Sequence, residues 1–323
     1  MKHYANIKAV KNPVSRLVFG CAGEAMHNGE RVHELLDEIY ALGVTTFDTA
    51  ENYGLSEVSL GNWIADRGIR GRVTVISKGC HPYGRDRVTP EDLREDITKS
   101  FRQLKTDYID IYLLHRDDLN VPIGPIVELL NEYHKAGKIG AFGGSNWTHQ
   151  RIAEANAYAA AHGLVPFTVS SPHFGLADQI VDPWGGSAGC VEISGPKHAD
   201  AREFYRREQM PVFSYSSLGR GMFTGRVHSG DPEGAKRVMD ADGVKGYCYP
   251  VNFERLARTE ELAAEKHATV SQIALAWLLN QNFPVFPIVS TSKGSRMQEN
   301  LRSLEIELTP DELRWLDLQQ DER

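Results

Sequence analysis

The sequence predicts a (β/α)8 barrel, and three observations carry that prediction. Short apolar, β-branched runs recur eight times, each followed by a longer stretch of helical periodicity. Polar residues with chemical potential punctuate the same end of those runs. The 323 residues show no break in composition, which suits one large barrel spanning 1–323 better than two separate domains. A doubly wound sheet with a small extra domain is the competing architecture.

The expected strands are 16–21, 45–50, 73–78, 108–115, 139–145, 167–172, 212–217 and 285–290. Between them lie amphipathic segments such as 33–42 and 56–66, with apolar residues three and four apart. Two helices announce their starts, at Thr89-Pro90-Glu91-Asp92 and at Thr309-Pro310-Asp311-Glu312. Each offers a hydroxyl N-cap, a proline in the first turn and an acid for the free N–H groups. The second, 309–320, is an extra C-terminal helix after the eighth unit. Long loops are expected after strands six and seven, at 175–199 and at 218–252, the latter leading into a helix at 253–268. Loops of that length in a compact domain are lids or excursions.

A hydrophobic fraction of 41% and a charged fraction of 24% are enough for a sizeable core. The net charge of -7 argues against a nucleic-acid partner and offers no polybasic patch for a membrane. Cys21, Cys80, Cys190 and Cys248 lie far apart, so neither a disulfide framework nor a zinc site is suggested. No paired histidine and carboxylate spacing points to another metal. The segment MKHYANIKAV lacks the apolar core of a leader, and no stretch reaches the roughly 20 apolar residues of a membrane span. A cytoplasmic location is expected.

Parallel closure brings Asp48, Tyr53, Lys78, His115, Ser145-Asn146, Tyr215-Ser216 and the segment from Ser290 to Arg296 to the face where barrel enzymes place their chemistry. Singly, Asp48 reads as a turn residue, Tyr53 as a surface aromatic, Lys78 as a strand-end charge and His115 as a core histidine. Together they make a proton-transfer device. A buried lysine needs an acid, which Asp48 supplies. A phenol beside that cation should have a lowered pKa, as acid work near neutrality requires.

Gly43-Val44-Thr45-Thr46-Phe47-Asp48-Thr49-Ala50 with Asn52-Tyr53-Gly54, then Ile76-Ser77-Lys78, then Asp110-Ile111-Tyr112-Leu113-Leu114-His115, resembles the aldo-keto reductase superfamily. So do Gly144-Ser145-Asn146-Trp147, the run from Ser214 to Gly221, and Lys293, Arg296 and Glu299-Asn300. The resemblance implies a catalytic tetrad of Asp48, Tyr53, Lys78 and His115. Tyr53 would be the general acid/base towards a carbonyl or alcohol, Lys78 held by Asp48 would tune it, and His115 would orient the substrate oxygen. It also implies NADP(H), bound without a dinucleotide fold. Ser145, Asn146 and Ser171 would line the nicotinamide end, with Tyr215 stacked on the ring, and Gly20 and Cys21 would also contact the cofactor. Ser216, Leu218, Gly219 and Arg220 would wrap the pyrophosphate. Ser290, Lys293, Arg296, Glu299 and Asn300 would take the adenosine end, the two cations facing a 2′-phosphate. Ser171 stands where many members carry glutamine, and Ser290 where many carry lysine. Trp184 in the 175–199 loop is a candidate wall of the substrate pocket. Two other functions compete: an aldolase-like barrel with Lys78 as Schiff base, and a cofactor-sensing regulatory subunit.

Overall fold

Unbroken apolar runs make strands buried on both faces, which is what a parallel sheet covered by helices demands. The computed structural model describes residues 3–323. Met1 and Lys2, part of the segment read for a leader, lie outside the described residues. A short antiparallel hairpin, β1 (Tyr4–Ala5) and β2 (Val14–Ser15), comes first. It was not expected from the sequence, since two-residue strands carry no periodicity to detect.

Eight parallel strands follow: β3 (Val18–Gly20), β4 (Thr46–Asp48), β5 (Thr74–Gly79), β6 (Ile109–Leu114), β7 (Ile139–Ser145), β8 (Val169–Ser171), β9 (Val212–Ser214) and β10 (Val285–Val289). They neighbour one another in chain order and close into a barrel, the (β/α)8 architecture that the sequence predicts. The helices are α1 (Glu24–His27), α2 (His33–Ala41), α3 (Ser56–Arg67), α4 (Pro90–Gln103), α5 (Ile123–Lys135), α6 (His149–Ala161), α7 (Ala199–Glu208), α8 (Pro232–Val238), α9 (Ala241–Tyr247), α10 (Pro250–Glu265), α11 (Val270–Leu279), α12 (Gly294–Leu301) and α13 (Pro310–Leu316). No helix among the described residues is long and apolar enough to cross a membrane.

The chain divides into two compact units. The first comprises His3–Ser171 and Ser290–Gly294. Its ladder is in register from Phe19 opposite Phe47, through Asp48 opposite Ile76, to Lys78 opposite Leu113. Phe19, Phe47, Trp63, Ile76, Ile111 and Leu113 are buried in it. The capping box expected at Thr89 forms, the threonine hydroxyl accepting from the Asp92 N–H.

The second unit comprises Pro172–Val289 and Ser295–Arg323. The capping box at Thr309 starts α13 as expected. The connection 218–252 differs from the loop predicted for it: it contains α8 and α9, and α10 begins at Pro250 rather than 253. Asp231 and Asp240 explain this, each carboxylate accepting from the N–H three residues on, at Gly234 and Gly243. The 175–199 segment is tied down rather than free. His173 donates its N–H to the Val191 carbonyl and accepts from the Ile193 N–H. Asn252 accepts from the Asp178 N–H at 2.9 Å and donates to the Asp178 carbonyl at 2.7 Å.

Candidate active site

Three strand ends of the first unit assemble the expected tetrad. Asp48 ends β4, Lys78 is the penultimate residue of β5, and His115 follows β6. All three are buried, while Tyr53, in the turn between β4 and α3, is half-buried. The Lys78 ammonium donates to the Asp48 carboxylate, with N···O separations of 2.7 and 2.8 Å, and to the Thr49 carbonyl at 2.8 Å. It lies 5.0 Å from the centre of the Tyr53 ring. The Tyr53 and His115 rings meet edge to face, centroids 5.5 Å apart. The four groups therefore share one locality.

Burial pulls Lys78 towards the neutral amine, but Asp48 and Tyr53 outweigh it and the pKa ends above its ordinary value. Lys78 stays an ammonium. Burial drives His115 well below the usual imidazole range, helped by Arg116, Lys78 and His81, so the ring is neutral. Its Nδ1 is buried and makes no hydrogen bond among the described residues. The expectation for Tyr53 needs correction. Lys78 and Arg116 do lower its pKa, yet burial is the larger effect and, with Asp48, sets the phenol above its ordinary value. A sequence shows the neighbouring cation but not the lost hydration.

Ser145, Asn146 and Ser171 also gather in this unit. The Ser145 hydroxyl donates to the Ser171 carbonyl at 2.9 Å. The Asn146 amide donates to the His115 carbonyl and the Ser145 hydroxyl, both at 3.2 Å. Asn146 has φ +56°, a left-handed conformation that asparagine tolerates better than most residues. The Ser171 hydroxyl is buried without a hydrogen-bond partner among the described residues. Two orphaned buried polar atoms, Ser171 Oγ and His115 Nδ1, fit an amide-bearing ligand such as a nicotinamide. Cys21 is different: its thiol is buried and raised well above the ordinary range by burial, its N–H donates to the Asp48 carbonyl at 2.8 Å and its carbonyl accepts from the Ser56 hydroxyl at 2.7 Å. Gly20 accepts the Ser290 hydroxyl at 2.7 Å through its carbonyl, and Lys293 is exposed.

In the second unit, Tyr215 is half-buried and meets His173 edge to face at 5.6 Å. Ser216, Gly219 and Arg220 all have positive φ, and a Cβ at Gly219 would approach that of Ala177 to 3.0 Å. The Ser216 carbonyl accepts from the Gly219 N–H, and that of Leu218 from the Phe223 N–H, so a tight turn carries the four expected pyrophosphate residues. The Arg220 guanidinium is 2.7 Å from Asp240 and lies 5.4 Å from the ring of Trp184. Trp184, 40% exposed, is thus a partner of Arg220. Arg296 and Glu299 are exposed on α12, and Asn300 is buried.

Sequence reasoning missed His81, 5.1 Å from His115 centre to centre, and Arg116, whose guanidinium donates to the His115 carbonyl at 2.8 Å. Their adjacency to Cys80 and His115 in the chain was the available signal. Among the described residues no group of three His, Cys, Asp or Glu side chains is placed to hold a metal.

Comparison with known proteins bears on the chain as a whole. The model of the aldo/keto reductase family matches residues 16–318. An aldo-keto reductase from Strobilurus tenacellus is 28% identical over 93% of this chain and 87% of its own length. A Schizosaccharomyces pombe protein named aldo-keto reductase with NADP(+) is 28% identical over 94% of this chain and 87% of its own. A putative aryl-alcohol dehydrogenase of Saccharomyces cerevisiae is 25% identical, covering 90% and 77%.

Proposed function

Because the chain belongs to the aldo/keto reductase family, we propose that it is an NADP(H)-dependent oxidoreductase that reduces an aldehyde or ketone, or oxidises the alcohol, with Tyr53 as general acid/base. The observation that carries this reading is the Asp48–Lys78 ion pair beside Tyr53, with a neutral His115 against the same ring. The family generally uses nicotinamide cofactors, and such a cofactor supplies the hydride when bound. The protein's residues supply the proton and the electrostatics. Tyr53 gives its phenolic proton to the carbonyl oxygen, or takes one from an alcohol. Lys78, fixed by Asp48, stabilises the phenolate left behind. His115, neutral, donates a hydrogen bond to the same oxygen without competing for the proton.

Ser145, Asn146 and Ser171 are the proposed carboxamide contacts, with Ser171 reaching less far than a glutamine would. Tyr215 is the proposed ring platform, and Ser216, Leu218, Gly219 and Arg220 the pyrophosphate turn. Gly20 and Cys21 are also assigned to the cofactor site. Ser290, Lys293, Arg296, Glu299 and Asn300 are assigned to the adenosine end, and Trp184 to the substrate wall. The reading takes residues 1–323 as one cytoplasmic barrel domain acting on a small carbonyl compound, with no nucleic acid or membrane partner. Lys78 held as an ammonium disfavours the Schiff-base alternative, which needs the free amine.

The test is NADPH oxidation followed at its nicotinamide absorbance against a panel of aromatic, aliphatic and sugar carbonyls. Turnover with at least one class is expected. Absence of turnover across the panel, with NADPH binding intact, would overturn the enzymatic reading.

A further inference from the structure

A second set of buried polar groups lies in the first unit, on the α3 and α4 side of β5. Side chains alternate along a strand, so Ser77 faces away from the direction taken by Lys78. Its hydroxyl donates to Glu57 Oε1 at 2.5 Å. Both residues are buried. Glu57 belongs to the first turn of α3, and the N–H of its neighbour Ser56 donates to the Tyr53 carbonyl at 3.0 Å. One side-chain hydrogen bond therefore joins the turn that carries Tyr53 to the strand that carries Lys78.

We propose that Glu57 is a positioning residue for the Tyr53–Lys78 pair, acting as an uncharged carboxylic acid that holds Ser77 and so fixes the spacing of phenol and ammonium. The proposal rests on the reductase reading above. The surroundings explain the uncharged form. Glu57 Oε2 is buried and accepts no hydrogen bond among the described residues, so a carboxylate would leave a charged oxygen bare. Hydrogen bonding from Ser77 and from Ser100 on α4 favours the carboxylate, but burial outweighs both. Glu51 faces it from the turn after β4 and opposes ionisation, while Lys99 on α4 favours it. Lys99 is already committed to Glu51, which also accepts from Tyr83. Tyr112 faces the cluster from β6 with a buried hydroxyl that has no hydrogen-bond partner among the described residues. Burial, helped by Glu51, raises the Glu57 pKa to about 7 against Ser77, Ser100 and Lys99.

The sign follows. A carboxyl with a raised native pKa binds its proton more tightly in the folded state, so stability falls as pH rises from about 5 to about 7 and levels off above. Glu57→Gln keeps an acceptor for Ser77 and a donor for Ser100 but cannot ionise. It should retain turnover within about threefold at pH 6, and lose part of the wild-type decline of both Tm and kcat between pH 6 and 8. Ser77→Ala, a small change that should fold, is expected to lower kcat roughly tenfold with KM for NADPH within twofold, because misplacing a proton donor affects chemistry rather than cofactor binding. Two results would overturn the proposal: unchanged kcat in Ser77→Ala, or a Glu57→Gln enzyme as impaired at pH 6 as Glu57→Leu, with the wild-type pH slope kept. Failure of the reductase reading is distinguishable, since the Tm profiles report the state of Glu57 without any turnover.

Discussion

Each unit contains a tyrosine paired with a buried histidine, and the two pairs behave in opposite ways. Tyr53 and His115 touch ring to ring at 5.5 Å, and Nδ1 of His115, like that of His173, is buried without a hydrogen bond among the described residues. Tyr247 instead shares a hydrogen bond between its hydroxyl and His173 Nε2 at 2.6 Å, and His173 Nδ1 stands 3.5 Å from Glu192. The Tyr247 hydroxyl also accepts from Gln179 at 3.3 Å, and Glu192 accepts from the Gln179 N–H at 2.6 Å. The surroundings differ in charge as well. His115 has Lys78, Arg116 and His81 around it, whereas His173 has a carboxylate. A phenol whose hydroxyl is spent on a histidine fastens a loop. A phenol beside an ammonium, against a histidine ringed by cations, is placed to work on a ligand.

The largest expected effect separates the two phenols. Tyr53→Phe should lower kcat for carbonyl reduction about a thousandfold and leave NADPH affinity within twofold, since a positioned acid contributes roughly 10²- to 10⁴-fold. Tyr247→Phe should leave kcat within about threefold and cost about 1–3 kcal/mol in urea unfolding, because it strands His173 Nε2 without its hydrogen-bond partner. Steady-state kinetics and denaturation of both variants check this. Retained turnover in Tyr53→Phe would erase the distinction.

The next effect is one of pH. Burial, with Asp48, holds the Tyr53 phenol above its ordinary value against Lys78 and Arg116. The acid form needed for reduction is then present throughout the neutral range, whereas alcohol oxidation needs the phenolate. Oxidation should climb about tenfold per pH unit up to pH 9 or beyond without a plateau, while reduction shows no loss attributable to Tyr53 up to that pH. His115, already neutral, adds no limb near pH 6 to 7. A plateau in the oxidation rate by pH 8 would mean that Lys78 outweighs burial after all.

How far all this was legible follows from where the information lies in the chain. The span 139–145 was readable to the residue, because a strand buried on both faces is an unbroken apolar run ended by polar residues. Thr89 and Thr309 were readable because a capping box is complete within four residues. Asp231-Pro232 and Asp240 carried the same kind of signal for α8 and α9 and went unread among glycines and charges. That Asp48, Tyr53, Lys78 and His115 gather could be anticipated from strand ends, but their electrostatics could not. The Tyr53 pKa turns on burial, while Ser77 lies 20 residues from Glu57 and Tyr247 lies 74 from His173. Local patterns reveal elements and caps. Distant partners need coordinates.

The smallest effect concerns two exposed cations rather than either buried pair. Lys293 and Arg296 sit in the open, so neither has a burial cost and neither is needed to hold a strand. Their proposed task, meeting a 2′-phosphate, is one of cofactor affinity alone. The double variant Lys293→Ala, Arg296→Ala should therefore raise the Kd for NADPH about tenfold, a modest figure for two solvent-screened charges. The Kd for NADH should move less than twofold, and kcat at saturating NADPH should be unchanged. Raising the ionic strength should shrink the wild-type preference for NADPH in the same direction. Fluorescence titration with both cofactors measures all of this. Equal losses for NADPH and NADH would assign the two side chains to a general anion field, and a fall in kcat would move them into the company of Tyr53 and His115, where nothing in their exposure places them.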